Sequence, residues 1–307
     1  MPTALITGIS GFIGKHLQRQ LTSQGWQVYG FDIRPGMDNV FVGDLTDHAA
    51  LSRAIAESKP EVVFHLAGAI KSNDADVYYK SNLFGTLNLF DAVMQSDIRP
   101  AMVVASSSAV YGLTSGSKPI TERSPFHPVT DYAVSKAAQE TAALRYHYAF
   151  GLPVFIVRMF NLLGPGQSPY LACSAFARQI ALAEITGQTE IVTGSLDARR
   201  DFVDVRDAAR AFAMVAEKGE AGQTYNVCSG RAVAIQKCLS EMISLSQKQL
   251  SARVDAGRVQ KNDVPVQVGS YEKLHKVTGW SPEISLKQSL SDLLDDWRER
   301  VKEVESK

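Results

Sequence analysis

Short apolar runs alternate with amphipathic segments along the first half of the chain. The runs TALIT, QVYGFD, EVVFHLA and AMVVASS are typical of buried strands. The segments between them, such as GKHLQRQLTSQG and ALSRAIAES, have the apolar spacing of helices. Strands separated by helices predict βαβ units and a parallel sheet covered on both faces. The expected fold class is therefore α/β, with a Rossmann-like, doubly wound sheet.

The alternation continues through a helix at 132–150 and a strand at 153–159, and it loosens at the Gly- and Pro-rich stretch NLLGPGQSP. Beyond this stretch, helical segments such as SAFARQIALAEI are mixed with short strands such as EIVTG and TYNVC. This pattern predicts a Rossmann-like domain over residues 1–160, to which some later segments return, and a smaller α+β lobe over residues 161–307.

Composition narrows the classes of function. The 307 residues are 45% apolar, and 32 basic residues balance 32 acidic ones, so no net charge favours binding to nucleic acid or to a membrane surface. No apolar run approaches the roughly 20 residues of a membrane span. The three cysteines have no CxxC spacing, and their odd number fits a reducing compartment, hence the cytoplasm, better than a disulfide framework. The six histidines have no ligand spacing, so no metal site is expected.

The turn TGISGFIG places Gly8, Gly11 and Gly14 between a predicted strand and a predicted helix. Glycines let the backbone approach a pyrophosphate closely, and the N-terminus of the following helix stabilises its negative charge. A glycine-rich turn alone is weak evidence, because many such turns bind nothing. Its position after the first strand nevertheless predicts a dinucleotide-binding site.

Acidic residues follow the next two strands. Asp32 ends the second strand, where a carboxylate can bind the adenosine ribose and repel a 2′-phosphate, so NAD(H) is the favoured cofactor. Arg34, two residues on, could attract that phosphate, which leaves NADP(H) as an alternative. Asp44 follows the third strand and is a candidate adenine contact, although the stretch DLTD could instead provide the N-cap of the next helix.

The stretch TDYAVSKAAQE places Tyr132 and Lys136 one helical turn apart, so that both side chains can face one spot. An exposed tyrosine over a lysine stem is the alternative interpretation. Two observations favour a catalytic pair: the neighbouring residues are small, and VVASSSAVYG brings hydroxyl groups to the end of an apolar strand. In open α/β sheets, ligands bind at the carboxyl ends of the strands.

Taken together, GxxGxxG, SSSAVYG, YAVSK, NLFGTLNL, RMFNLLGPGQ and RRDFVDV make the whole chain similar to the extended short-chain dehydrogenase/reductases that modify nucleotide sugars. The resemblance implies that Tyr132 exchanges a proton with the sugar and that Lys136 binds the nicotinamide ribose and lowers the pKa of the tyrosine. It implies that Ser107, four residues before Tyr111, orients the substrate carbonyl. The further cofactor-binding candidates are Phe12, Ile13, Leu45, Leu66, Ala67, Gly68 and Asn82.

The positions after Ser107 distinguish the reactions of such enzymes. Relatives that act as 4,6-dehydratases carry carboxylates there, and relatives that epimerise C3 and C5 carry a cysteine two residues on, whereas this chain has Ser108 and Ala109. Hydride transfer at C4 remains, either as net reduction of a 4-keto sugar or as 4-epimerisation with retained NAD. A catalytically silent NAD-binding sensor is a third alternative, because a fold does not establish activity.

The C-terminal half is similar to the GDP-4-keto-6-deoxy-D-mannose reductases, notably in FNLLGPGQ, TYNVCSG and VPVQVGSYEKLHKVTGWSPEISLKQSL. The resemblance implies formation of GDP-D-rhamnose. Guanidinium groups suit phosphate oxygens, and the implied ligands of the sugar diphosphate are Asn161, Arg178, Arg200 and Arg258. For Arg178, a surface ion pair is an equal alternative. Two positions depart from the family pattern: Leu162 replaces a histidine, and Gln260 replaces an arginine three residues before Asp263.

Small and apolar residues are frequent in the predicted helices 82–95 and 132–149. Extended members of the family pair these helices between two copies. The resemblance thus implies a homodimer built through a four-helix bundle. The alternative is that these faces only cover the sheet of a monomer.

Overall fold

The computed structural model describes residues 1–36, 38–114, 118–258 and 264–305. The strands are β1 (Thr3–Thr7), β2 (Gln27–Asp32), β3 (Val40–Val42), β4 (Val62–His65), β5 (Ala101–Ser107), β6 (Val154–Met159), β7 (Asn161–Leu163), β8 (Glu190–Thr193), β9 (Arg199–Asp204), β10 (Thr224–Val227), β11 (Ala232–Ala234), β12 (Ser251–Val254) and β13 (Val266–Gln267).

The helices are α1 (Phe12–Ser23), α2 (His48–Ser58), α3 (Ala75–Tyr78), α4 (Gly85–Gln95), α5 (Asp131–Phe150), α6 (Ala172–Thr186), α7 (Val205–Lys218), α8 (Ile235–Ser244), α9 (Glu272–Thr278) and α10 (Leu286–Glu305). A π-helical turn, Tyr79–Phe84, joins α3 to α4. The helix expected at 82–95 therefore begins seven residues earlier and contains one wider turn. No helix in the described part of the chain is both long and apolar enough to cross a bilayer.

The main sheet has seven strands in the order β10-β6-β5-β4-β1-β2-β3, and every neighbouring pair is parallel. Successive residues of a strand face opposite sides, so each strand packs against helices on both faces. On β1, Ile6 belongs to the core shared with α1 and α7, and Leu5 belongs to the core shared with α2 and α4. The predicted doubly wound α/β fold is confirmed.

The segment after residue 160 divides between two places. The strand TYNVC, expected in the smaller lobe, is β10 and pairs with β6 in the main sheet, with Thr224 opposite Ile156. Helix α7 likewise returns to the main sheet and contributes Phe212 to its core. The remaining segments form a sheet of β7, β9, β11 and β13, a β8–β12 pair, and an apolar core that contains Leu239 and Trp297.

Parallel strands end at one edge, and this edge positions the functional groups. Gly8 follows β1, Leu66 follows β4, and Ser107 ends β5. Since β1, β4 and β5 are neighbours in the sheet, the glycine-rich turn, the loop after β4 and the serine hydroxyl lie side by side. The order of the strands thus gathers residues that are about a hundred positions apart in the sequence.

Candidate active site

Ser107 and Tyr132 meet at the carboxyl end of β5. The Ser107 hydroxyl accepts a hydrogen bond from the backbone N–H of Ala109 (3.2 Å) at the start of a 3₁₀ turn. Tyr132 lies in the first turn of α5, which the hydroxyl of Thr130 caps by accepting from the N–H of Ala133 (3.2 Å). The Ser107 hydroxyl also lies close enough to the Tyr132 phenol to lower its pKa. The structure therefore brings the two predicted hydroxyl groups together.

The surroundings of Tyr132 keep its phenol protonated. Burial raises the pKa of Tyr132, the hydrogen bond with Ser107 opposes this rise, and the nearby Tyr78 adds to it. The ammonium of Lys136 donates to the carbonyl oxygen of Ala105 (Nζ to O, 2.6 Å). In this structure burial dominates and Lys136 is not among the groups that shift the pKa of Tyr132, so the lowering expected from Lys136 stays a prediction.

Lys136 has a strongly perturbed basicity. Burial lowers the pKa of its ammonium to about 8, although the carboxylate of Glu140 counteracts part of this shift. Glu140 lies one turn further along α5 and forms an ion pair with Arg158 of β6 (Nη2 to Oε2, 2.6 Å). It also accepts a hydrogen bond from Ser106, the neighbour of the catalytic candidate. A buried negative charge therefore lies close to Lys136.

The pair of Glu140 and Arg158 is not predicted by the sequence motifs. Both side chains are buried, at 2% and 7% exposed. A signal was available, because VFIVRM places an arginine inside an otherwise apolar strand. A charge buried in a sheet requires a partner of opposite sign, but the sequence does not say which of the many acidic residues provides it.

A chain of buried polar side chains crosses between the sheet and the helices near Lys136. The two ring nitrogens of His65 are hydrogen-bonded to the hydroxyls of Thr7 and Thr86 (2.8 Å each). The amide of Gln139 donates to Thr86 (2.9 Å). Burial and the charge of Lys136 lower the pKa of His65 to about 3. The imidazole is thus neutral at physiological pH and connects β1, β4, α4 and α5.

Asn82 anchors the loop after β4 from the π-helical turn, a form of helix that is frequent at functional sites. Its Oδ1 accepts from the N–H of Ala69 (2.8 Å), and its Nδ2 donates to the carbonyl of Ala69 (3.1 Å) and to the hydroxyl of Ser135 (2.9 Å). The side chain is fully buried. Asn82 therefore has no amide hydrogen left for a cofactor in this structure and shapes the loop instead.

The glycine-rich turn leaves bare backbone where a pyrophosphate would bind. Gly8 has φ = +72°, and a Cβ atom there would lie 2.9 Å from the backbone nitrogen of Ala67. A Cβ atom at Gly14 would meet the carbonyl oxygens of Gly8 and Ile9. The glycines thus let this turn pack closely against neighbouring backbone just before the N-terminus of α1, where a phosphate group can bind. The other candidates lie beside it, at the start of α1 or after β4: Gly11, Phe12, Ile13, Leu66 and Gly68.

Asp32 presents an ionised carboxylate at the end of β2. It accepts hydrogen bonds from the backbone N–H groups of Ser10 (3.0 Å) and Arg34 (3.1 Å). Burial acts to raise the pKa of Asp32, but the hydrogen bonds outweigh burial and hold it below its usual range. The side chain of Arg34 is 61% exposed, and its Nε lies 3.5 Å from Asp32 Oδ1. Arg34 is therefore paired with the carboxylate.

The DLTD stretch divides its expected roles between two aspartates. Asp47 is the N-cap of α2 and accepts from the N–H of Ala50 (3.0 Å). Asp44 is exposed and accepts from the N–H (2.8 Å) and the hydroxyl (2.7 Å) of Thr46. Leu45 is buried in the core of the sheet, so its side chain does not face the candidate adenine site. Only Asp44 of this stretch stays available for an adenine contact.

Two of the candidate diphosphate ligands lie on paired strands. Asn161 begins β7, and its Nδ2 donates to the carbonyl of Asp201 on β9 (3.2 Å). Arg200 lies beside Asp201 on β9 and donates to the carbonyl of Val264 (2.5 Å). The buried Asp201 carboxylate accepts from the N–H groups of Ser229, Gly230 and Gly269. This carboxylate therefore orders the loops around the two candidates.

The other two candidates are not joined to this pair. Arg178 is exposed on α6, and its side chain makes no hydrogen bond or ion pair with any described residue. The side chain of Arg258 lies outside the described residues, as do Gln260 and Asp263. Leu162, which replaces the histidine of the family pattern, lies on β7, and its carbonyl accepts from the amide of Gln167 (2.5 Å).

Ser108 is held by a residue of the C-terminal half. Its hydroxyl donates to Gln267 Oε1 (3.2 Å), and Gln267 Nε2 donates to the carbonyl of Ser108 (3.0 Å). Gln267 lies on β13, opposite Arg200 of β9. Neither Ser108 nor Ala109 ionises, so the acid and base needed for elimination of water are missing from these positions. Within the described residues, no cluster of His, Cys, Asp and Glu could hold a metal ion.

Residues 4–228 match the NAD dependent epimerase/dehydratase family, and the chain belongs to this family. It is 35% identical to the GDP-6-deoxy-D-mannose reductase of Pseudomonas aeruginosa over 97% of this chain and 98% of that protein. The structure of RMD from Pseudomonas aeruginosa complexed with NADPH matches with a TM-score of 0.89, at 34% identity over 98% of this chain and 100% of that one. The predicted resemblance is confirmed.

A second solved structure with a similar fold is that of a 4-epimerase. The UDP-glucose 4-epimerase of Thermus thermophilus in complex with NAD matches with a TM-score of 0.86, at 27% identity over 96% of this chain and 99% of that one. Both structures contain a nicotinamide dinucleotide. The chain is accordingly an NAD(P)-dependent enzyme, and a nicotinamide dinucleotide is its cofactor.

Proposed function

We propose that the chain reduces the C4 ketone of GDP-4-keto-6-deoxy-D-mannose to give GDP-D-rhamnose. The observation that carries this proposal is the Ser107 hydroxyl beside the Tyr132 phenol, whose pKa is raised, next to positions that lack the carboxylates of a dehydratase. The 35% identity to a GDP-6-deoxy-D-mannose reductase supports the choice of substrate.

Each residue of the site has its own role in this reaction. A reduced nicotinamide, when bound, would supply the hydride to C4. Ser107 donates a hydrogen bond to the ketone oxygen, and Tyr132 gives that oxygen its proton as negative charge develops there. The raised pKa of Tyr132 suits this direction, because the phenol carries its proton at neutral pH. Lys136 would hold the nicotinamide ribose, and Asp32 would hold the adenosine ribose.

The test of this proposal is the stoichiometry of the cofactor. A reductase oxidises one reduced nicotinamide for each 4-keto sugar, which lowers the absorbance of the reduced cofactor. We expect NADH to bind more tightly than NADPH, because the ionised Asp32 repels a 2′-phosphate and Arg34 is already paired. Parallel assays and calorimetric titrations with both cofactors measure this preference.

A 4-epimerase is the second candidate, and the similarity to the NAD-bound UDP-glucose 4-epimerase favours it. An epimerase interconverts an intact nucleotide hexose with no net change in cofactor absorbance. Epimerisation of GDP-mannose or UDP-glucose, with the 4-keto sugar leaving both reduced cofactors untouched, would replace the reductase assignment. Tight NAD binding without any turnover would instead indicate a sensor.

We expect kcat/KM to fall as pH rises through about 8, since burial lowers the pKa of Lys136 to about 8. The ammonium is the form that binds ribose hydroxyls, so binding is complete below this pKa and is lost above it. Tyr132 loses its proton at higher pH, because its own pKa is raised. A pH profile of kcat/KM measures the free enzyme. Lys136→Arg keeps the charge and should move the alkaline limb upward, whereas an unchanged limb would contradict the assignment.

A homodimer through a four-helix bundle is the quaternary structure that we propose. Phe84, at the end of the π-helical turn before α4, is 55% exposed. On α5, Val134 is 40% exposed and Tyr148 is 74% exposed. Pairing α4 and α5 with the same helices of a second copy would cover these side chains. Light scattering is expected to give twice the monomer mass at micromolar concentration, and Phe84→Glu should give monomers. A monomer mass for the wild type would reject the bundle.

The cytoplasm is the compartment that we propose. Cys173, Cys228 and Cys238 are all buried as free thiols. Free thiols of this kind persist in a reducing compartment.

A further inference from the structure

Tyr78 packs directly against the proposed proton donor. Its ring and the ring of Tyr132 form an edge-to-face pair, with centroids 5.9 Å apart and planes at 64°. Such pairs favour one relative orientation of the two rings. Tyr78 therefore restricts the directions that the Tyr132 phenol can take.

The hydroxyl of Tyr78 is also held in place, by hydrogen bonds to the backbone of Ser72. It accepts a hydrogen bond from the N–H of Ser72 (2.7 Å) and donates one to the carbonyl of Ser72 (3.1 Å). Asn82, four residues further along the same helical segment, holds the N–H and the carbonyl of Ala69 in the same manner. The helical segment that contains Tyr78 and Asn82 thus binds the loop after β4 at Ser72 and at Ala69. The ring of Tyr78 links these contacts to Tyr132.

We infer that Tyr78 is a positioning residue, which holds the Tyr132 phenol toward Ser107 and couples this orientation to the loop after β4. The inference rests on the proposed function, in that Tyr132 is taken as the proton donor. Tyr78 has no contact with the reacting atoms in this role, and it acts only through Tyr132.

The neighbouring Tyr79 provides a matched control. Its hydroxyl points to the carboxylate of Asp131 (3.4 Å) and not to the loop after β4. The groups that act on the Tyr132 phenol are Tyr78 from α3 and Ser107 from β5, while Lys136 on its own helix is directed to a backbone carbonyl. A change at Tyr79 therefore removes a tyrosine of equal size without touching the proton donor.

The first experiment compares Tyr78→Leu, Tyr78→Phe and Tyr79→Leu at saturating cofactor. Tyr78→Leu removes the ring contact and should lower kcat roughly tenfold or more, with the KM for the nucleotide sugar changed by less than about twofold. Tyr78→Phe keeps the ring and should restore kcat to within about threefold of the wild type. Tyr79→Leu should leave kcat unchanged, and thermal unfolding should show that all three variants are folded.

Combination with Tyr132→Phe shows whether Tyr78 acts through Tyr132. If it does, adding Tyr78→Leu to Tyr132→Phe causes no further loss of kcat, because effects within one unit are not additive. Losses that multiply in the double variant, or a Tyr78→Leu enzyme with the kcat of the wild type, would overturn the inference.

A titration without substrate separates this inference from the proposed function. The difference in phenolate absorbance between the wild type and Tyr132→Phe gives the pKa of Tyr132. Tyr78→Leu should lower that pKa, because burial and Tyr78 both raise it and burial outweighs the opposing effect of Ser107, and Tyr79→Leu should leave it in place. A lowered pKa in a protein that does not reduce the 4-keto sugar would reject the function and keep the positioning role. An unchanged pKa would reject the positioning role alone.

Discussion

Replacing Tyr132 with phenylalanine is expected to lower kcat by roughly 10²- to 10⁴-fold, because this change removes a positioned acid. Phenylalanine keeps the ring and its packing against Tyr78, so the site should keep its shape. It deletes only the hydroxyl that lies beside Ser107. Single-turnover oxidation of NADH by the 4-keto sugar measures the chemical step without interference from product release.

The control for this prediction is Tyr79→Phe, which deletes an exposed hydroxyl at the adjacent position. Its kcat should equal that of the wild type. The KM for the nucleotide sugar should change little in Tyr132→Phe, because the proton is needed in the transition state and not for binding. An enzyme with Tyr132→Phe that keeps more than about a tenth of the kcat would show that another group donates the proton.

Replacing Glu140 with glutamine is expected to lower the free energy of unfolding by about 3–5 kcal/mol, since breaking a buried ion pair leaves the other charge uncompensated. Glu140 accepts three hydrogen bonds from the guanidinium of Arg158, at 2.6 to 3.1 Å. Glutamine has nearly the same shape but no charge, so the cavity stays filled. Urea unfolding monitored by circular dichroism measures the change in midpoint.

The matched control is Glu299→Gln on α10. Glu299 forms an ion pair with Lys302 (3.1 Å), in which the side chains are 74% and 65% exposed. An exposed pair contributes little, so this variant should lose less than about 0.5 kcal/mol. Equal effects of the two substitutions would contradict the special role of the buried pair.

The loss of the Glu140 charge in Glu140→Gln should also move the alkaline limb of kcat/KM to lower pH, because that charge raises the pKa of Lys136.

Contacts that join distant segments were beyond the reach of the sequence pattern. Gln267 holds Ser108 across 159 residues of chain, and no local period predicts such a contact. The motif NLFGTLNL makes Asn82 a candidate cofactor ligand, but its side-chain amide is hydrogen-bonded to Ala69 in the loop after β4 and to Ser135. The strand TYNVC was expected in the smaller lobe, because a short apolar strand does not reveal which sheet it completes. The domain boundary expected near residue 160 stays a prediction.

The sequence by itself determined the doubly wound sheet, the glycine-rich turn and the helical spacing of Tyr132 and Lys136, because apolar periodicity and glycine positions act over a few residues. It also determined the family, because several specific motifs occur together. Only the tertiary structure decided the state of the groups at the site. Burial depends on the whole packed chain, and burial is what raises the pKa of Tyr132 and lowers that of Lys136. The partners Glu140, Arg158 and Tyr78 were likewise selected by packing, since a side chain contacts what the fold places beside it.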